Sequence, residues 1–110
     1  MDPDETPEIS VVVPLYNEQE NVAALYERLT ATLGTLGGPY ELVFVNDGSR
    51  DETPRLVERL RRDDPRVVTL HLSRNFGHQA AVSAGLDHAR GRAVAIMDGD
   101  LQDPPEVLPA

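Results

Sequence analysis

Ile9-Ser10-Val11-Val12-Val13, running straight into Pro14-Leu15-Tyr16-Asn17-Glu18, decides the fold. The first five residues are short, β-branched and free of charge, the pattern of a strand buried on both faces. Runs of the same kind recur at Tyr40 to Val45, Val67 to Leu72 and Ala93 to Met97, each largely uninterrupted by charge. What lies between them has the other period. Val22, Leu25, Tyr26, Leu29 and Leu33 fall on one face of a helix, and Leu56, Val57 and Leu60 on one face of a second. From about His78 to Arg90 a third helix is rich in small residues, which lets it pack closely on a sheet although Gly85 weakens it.

Asn17 with Glu20 and Ser49 with Glu52 have capping-box spacing, so the first two helices are expected to start just after their strands end. Gly34 and Gly91 are placed to stop the first and third helices. Strand and helix thus alternate from end to end, the pattern of an α/β fold: a Rossmann-like parallel sheet with right-handed crossovers. With strand order 3-2-1-4, the segments after strands one, two and four meet in one crevice beyond the carboxyl ends of the strands, where such sheets bind ligands. Those segments are Pro14 to Glu18, Asn46-Asp47-Gly48-Ser49 and Asp98-Gly99-Asp100. The fourth strand is expected at an exposed edge.

Composition narrows the chemistry. At 110 residues the chain fits one small domain with a core of its own. It has no cysteine, which excludes disulfides, thiolate metal sites and cysteine nucleophiles. His71, His78 and His88 lack the spacing of a zinc pair and read as structural or surface residues. A formal charge of -9, from 19 acidic and 10 basic residues, argues against a nucleic-acid partner. No apolar run approaches a membrane span, the acidic start is unlike a secretory signal, and residues 1–8 read as a flexible lead-in.

Asp98-Gly99-Asp100 closes the fourth apolar run. Two carboxylates one glycine apart are hard oxygen donors, suited to Mg²⁺ or Mn²⁺ rather than zinc. Asp and Gly are also ordinary turn formers, as is the whole of Asn46 to Ser49. After the first strand there is no glycine-rich phosphate loop, and Glu18 and Glu20 would repel an anion there, so NAD binding and a P-loop are both rejected. An acidic crevice that holds a diphosphate through a divalent ion remains. Asp47 could accept hydrogen bonds from a uracil or guanine ring, and Tyr16 could be a stacking wall or core edge. Glu18 is also favourable simply as an acid in a helix's first turn.

Taken together, Pro14 to Glu18, Asn46 to Ser49 and Asp98 to Asp100 resemble the signatures of family-2 glycosyltransferases, nucleotide-sugar-dependent enzymes of the GT-A fold. Ser73-Arg74-Asn75-Phe76-Gly77, then Ser83 to Leu86, then Asp100-Leu101-Gln102-Asp103-Pro104-Pro105-Glu106, is similar to the branch that glycosylates polyisoprenyl phosphates, with dolichol-phosphate mannosyltransferases and bactoprenol glucosyltransferases. The resemblance implies that residues 9–110 are the N-terminal, nucleotide-sugar-binding part of a longer glycosyltransferase domain. It assigns Pro14, Tyr16, Glu18, Asp47 and Asp98 to the nucleotide, and Asp98, Asp100 and Gln102 to the metal and diphosphate. Arg74 could lie near the phosphates or organise its own loop. Two departures are mild: Gly99 stands where alanine is common, and Asn46 where many members have aspartate.

The implied activity is inverting, metal-dependent transfer from a UDP- or GDP-sugar to a polyisoprenyl phosphate, at the cytoplasmic face of the membrane in the full-length protein. No catalytic base is evident, and this chain alone is expected to be inactive. The competing expectations are a non-catalytic nucleotide or metal-binding module and a metal-dependent nucleotidyl or phosphoryl transferase.

Overall fold

The computed structural model describes residues 6–98. Four strands and three helices alternate: β1 (Ile9–Leu15), α1 (Val22–Gly34), β2 (Tyr40–Asn46), α2 (Thr53–Asp63), β3 (Val67–His71), α3 (His78–His88) and β4 (Ala93–Ile96). All strand pairs are parallel and the order is β3-β2-β1-β4, as the sequence implies. The chain steps one way from β1 to β3 and then jumps back to β4. Right-handed crossovers require the helices of those two directions to lie on opposite faces. They do: Val11, Val13, Leu42 and Phe44 face the apolar side of α1 and Val57 of α2, whereas Val12, Val43 and Val45 face Ala81 of α3.

The helical faces follow their periodicity. Val22, Leu25, Leu29 and Leu33 are buried in α1, and Tyr26 at the rim donates its hydroxyl to Asp64 Oδ2 at 2.6 Å. In α3 a Cβ on Gly85 would stand 2.3 Å from Val12 Cγ1, so the small residue lets the helix settle directly on the sheet.

Four local expectations need correction. Neither capping box forms: α1 and α2 start at Val22 and Thr53, after Asn21 and Glu52, and neither of those two cap residues makes a side-chain cap bond. Gly34 is the last residue of α1 rather than its stop. Gly91 lies beyond the end of α3, where a Cβ would come within 2.6 Å of the Ser10 nitrogen; its job is close approach to β1. Burial on both faces fails for β4, whose Val94 and Ile96 are 43% and 45% exposed; among the described residues it lies at the sheet edge, paired with β1 alone.

One charge was hidden inside an apolar run. Glu41 of β2 is fully buried, accepting from Ser10 Oγ at 2.6 Å and from the Arg90 backbone N–H at 2.7 Å, with Arg90 Nε 3.5 Å from its other oxygen. It ties the segment entering β4 to the two central strands, at the end of the sheet opposite the crevice.

Candidate active site

A cleft of about 550 Å³ opens at the carboxyl ends of the central strands. The end of β1 supplies Pro14, Leu15, Tyr16 and Glu18, the end of β2 supplies Asp47, and Asp98 follows β4. Pro14 shapes the opening. Val12 O accepts from Met97 N and Leu15 O accepts from Asp47 N, so alternation along β1 turns the Pro14 backbone toward β4. Lacking an N–H, Pro14 cannot prolong the β1–β4 ladder, whose last register pair is Val12↔Ile96.

Asp47 is only 3% exposed and is held by the loop between β3 and α3. Its Oδ1 accepts from Phe76 N at 2.8 Å, and its Oδ2 from Gly77 N at 3.1 Å and Asn75 Nδ2 at 3.2 Å. A carboxylate has about four lone-pair sites, so about one stays open to a ligand. The partner loop can come this close because of Gly48. Its φ is +69°, and a Cβ there would lie 2.2 Å from the Arg74 carbonyl carbon.

The loops after β1 and β2 are laced together. Asn17 N donates to Ser49 Oγ and Arg50 N to Asn17 Oδ1, at 2.9 and 2.8 Å. Glu18 N donates to Thr53 Oγ1, Gln19 N to Asp51 Oδ2 and Glu52 N to Gln19 Oε1, at 3.0–3.2 Å. The polar side chains that look like caps in the sequence therefore satisfy backbone donors of the other loop. Burial pushes the Asp51 carboxyl up, but the bonds from Thr53 and Gln19 outweigh it and leave it below the usual range. Glu18 is half-buried, its Oε2 accepting from Asn21 Nδ2 at 2.8 Å.

Tyr16 is 43% exposed, an aromatic wall at the cleft mouth. The side chain of Asp98 is 45% exposed, and its Oδ1 lies 4.0 Å from His78 Nε2. An exposed carboxylate at the mouth of a polar cleft fits a hard cation. Asp100 and Gln102, the other expected metal ligands, lie outside the described residues. Among the described residues no group of three or more His, Asp or Glu side chains is placed to hold a metal. Arg74 is not among the cleft-lining residues; its guanidinium lies over the Phe76 ring, 4.3 Å from the centroid.

Asn75, Gly77 and His78 line the cleft, and the sequence reading had not placed them there. The third strand is at the far edge of the sheet, two strands away from β1. The loop reaches back because Asp47 supplies acceptors for its backbone. Nothing in the local sequence marks this, since the burial of Asp47 and the closeness of the two loops belong to the folded chain.

Residues 10–110 match the family model described as glycosyl transferase family 2. The chain belongs to that family. Among curated relatives it is 46% identical over 99 residues to the uncharacterized glycosyltransferase YkcC of Bacillus subtilis, covering 90% of this chain and 31% of that protein. It is equally 46% identical over 101 residues to the bactoprenol glucosyl transferase of Shigella phage SfV, covering 92% and 33%. The chain thus spans about a third of the length of these family 2 relatives.

Two solved structures share the GT-A architecture. S. aureus TarS 1-349 in complex with UDP superposes with a TM-score of 0.68 at 29% identity, over 84% of this chain and 27% of that one. Mannosyltransferase PcManGT from Pyrobaculum calidifontis, in complex with GDP-Man and Mn²⁺, gives 0.65 at 27% identity, over 94% and 34%.

Proposed function

We propose that this family 2 domain binds a UDP- or GDP-sugar in the cleft with the help of Mg²⁺ or Mn²⁺, and that the protein transfers the sugar with inversion to a polyisoprenyl phosphate. The observation that carries this reading is the meeting of Asp47 and Asp98, from two different strand ends, in one open cleft beside β1. Glu18 joins them there. Three acids around one cleft repel a diphosphate unless a cation intervenes. Among similar proteins, PcManGT holds GDP-Man and Mn²⁺ together, and the SfV relative is named for bactoprenol, which supports the donor, ion and acceptor classes.

On this reading Pro14, Tyr16, Glu18, Asp47 and Asp98 surround the nucleotide, Asp47 using its remaining acceptor position on a base N–H. Asp98, Asp100 and Gln102 would hold the ion, which when bound supplies charge neutralisation on the leaving diphosphate. The chain's own loops would fix the donor, and a lipid phosphate oxygen forms the new bond to the anomeric carbon as its bond to the nucleoside diphosphate breaks. The stacking of Arg74 on Phe76 favours the loop-organising role over a phosphate contact.

Titration calorimetry with UDP and GDP, in Mn²⁺ and in EDTA, tests the reading. Binding of one nucleotide in Mn²⁺ and its loss in EDTA is expected. Equal affinity in both would remove the metal assignment, and no binding in either would remove the donor site.

A further inference from the structure

Asn46, the residue before Asp47, is 4% exposed and has a single consistent hydrogen-bonding state. Ser49 N lies 2.9 Å from Asn46 Oδ1, and since a backbone N–H can only donate, that atom must be the amide oxygen. Its Nδ2 therefore faces His71 Nδ1 at 3.1 Å, and the amide can only donate there. His71 Nδ1 must then carry the lone pair and Nε2 the proton. Nε2 lies 2.8 Å from Glu58 Oε1, a carboxylate oxygen able to accept it. Every group in this line, from α2 through the end of β3 to the turn after β2, has one permitted orientation.

Protonation breaks the line at one point. An imidazolium donates from both nitrogens, so Nδ1–H would confront the Asn46 NH₂ group. Flipping the amide only moves the conflict, because its NH₂ group would then confront the Ser49 N–H. The turn loses one hydrogen bond either way. The charged groups facing His71 are Glu58 and, bonded to Glu58 at 2.8 Å, Arg61, both from α2; β2 contributes the neutral Asn46. Glu58 stays ionised throughout, since bonds from Thr69, His71 and Arg61 hold its carboxyl down to about 2.

We propose that His71 is a positioning residue for the turn that carries Asp47. Its neutral imidazole, bridged between Glu58 and Asn46, holds the Asn46 amide in the orientation that receives the Ser49 N–H, and uptake of a proton releases that hold. The effect reaches the cleft because Ser49 also receives the Asn17 N–H, so the turn and the loop after β1 loosen together. Its link to nucleotide affinity rests on the donor-site reading above; its link to the turn does not.

The test follows the Ser49 backbone amide and the His71 ring nitrogens by NMR between about pH 8 and about pH 5, the interval in which imidazoles generally charge. The expected result is a proton on Nε2 at the upper pH and a Ser49 amide that shifts in step with His71. A Ser49 signal that stays still while His71 titrates, or an Nδ1–H form at the upper pH, overturns the proposal. In parallel, UDP and GDP affinities in Mn²⁺ are compared at the two pH values for wild type, His71→Gln and Asn46→Asp. Wild type should weaken about three- to tenfold at the lower pH, the worth of one hydrogen bond. His78 lines the cleft in all three proteins, so only the difference from His71→Gln counts, and that variant should lose the additional weakening. Asn46→Asp places a carboxylate that can accept from both Ser49 N–H and an imidazolium, and should reverse the trend. Identical pH profiles in wild type and His71→Gln overturn the positioning role. If wild type binds neither nucleotide, the donor-site reading falls and the Ser49 signal still decides the relay.

Discussion

Replacing Gly48 by alanine should unfold much of what holds the cleft together. The added Cβ would sit 2.2 Å from the Arg74 carbonyl carbon and 2.3 Å from the Asn75 nitrogen, both backbone atoms that cannot rotate aside. A φ of +69° adds a left-handed penalty of about 1–2 kcal/mol for a residue with a Cβ. Moving the loop breaks at least one of the three bonds to the buried Asp47 carboxylate, each worth about 1.5–3 kcal/mol because the acceptor is charged. The sum is about 2.5–5 kcal/mol, against a total stability of about 5–15 kcal/mol for a domain. At about 4–8 °C per kcal/mol for a chain of this size, the melting midpoint should fall by about 10 °C or more. Calorimetric melts with amide exchange at Phe76 and Gly77 make the assay. Gly34→Ala is the control: nothing lies near its added Cβ and its backbone is helical, so it should melt at or slightly above wild type. A Gly48→Ala protein that melts within about 4 °C of wild type, with unchanged protection at Phe76 and Gly77, would refute the docking of the two loops.

Two titrations follow from other contacts. Glu58 is held down to about 2, and Asp64 lies below its usual range because bonds from Arg66 and Tyr26 outweigh the upward push of burial. Both folded values lie below the unfolded ones, so both contributions are lost as acid protonates the carboxylates; that of Glu58 is fully present only above its unfolded value of 4.5 and disappears as pH falls through about 2, and acid melts should steepen in that window. Tyr26 runs the other way: burial, then its bond to Asp64, raise its hydroxyl to about 12 from 10.0, so this contribution holds below about pH 10 and fades as pH rises through about 12. Ultraviolet titration should show a phenolate that appears only near the upper value and vanishes from the profile in Tyr26→Phe.

The sheet was legible because each strand announces itself by a short β-branched run, and the alternation with helical periods leaves few topologies. The cleft was legible as far as strand order could carry it, which covers Pro14, Tyr16, Glu18, Asp47 and Asp98. Side-chain bonding between separate loops was not legible. Asn17 and Ser49 have the chemistry of helix caps, and only the closeness of two loop backbones sends those groups across the gap instead of down their own helices. Glu41 escaped notice for a similar reason: its partners Ser10 and Arg90 are 31 and 49 residues away. His78 read as a surface residue because nothing local shows that its loop is drawn over the second strand.

The lacing of the first two strand-end loops bears on how such a domain can change. Five bonds join residues 17–19 to residues 49–53, each side supplying both donors and acceptors. A loop exchanged alone, by recombination or by grafting, would arrive with unmatched amides and leave unmatched ones behind. The two segments form one physical module written in two places, and ligand preference at this end of the sheet should be transplantable only by moving both.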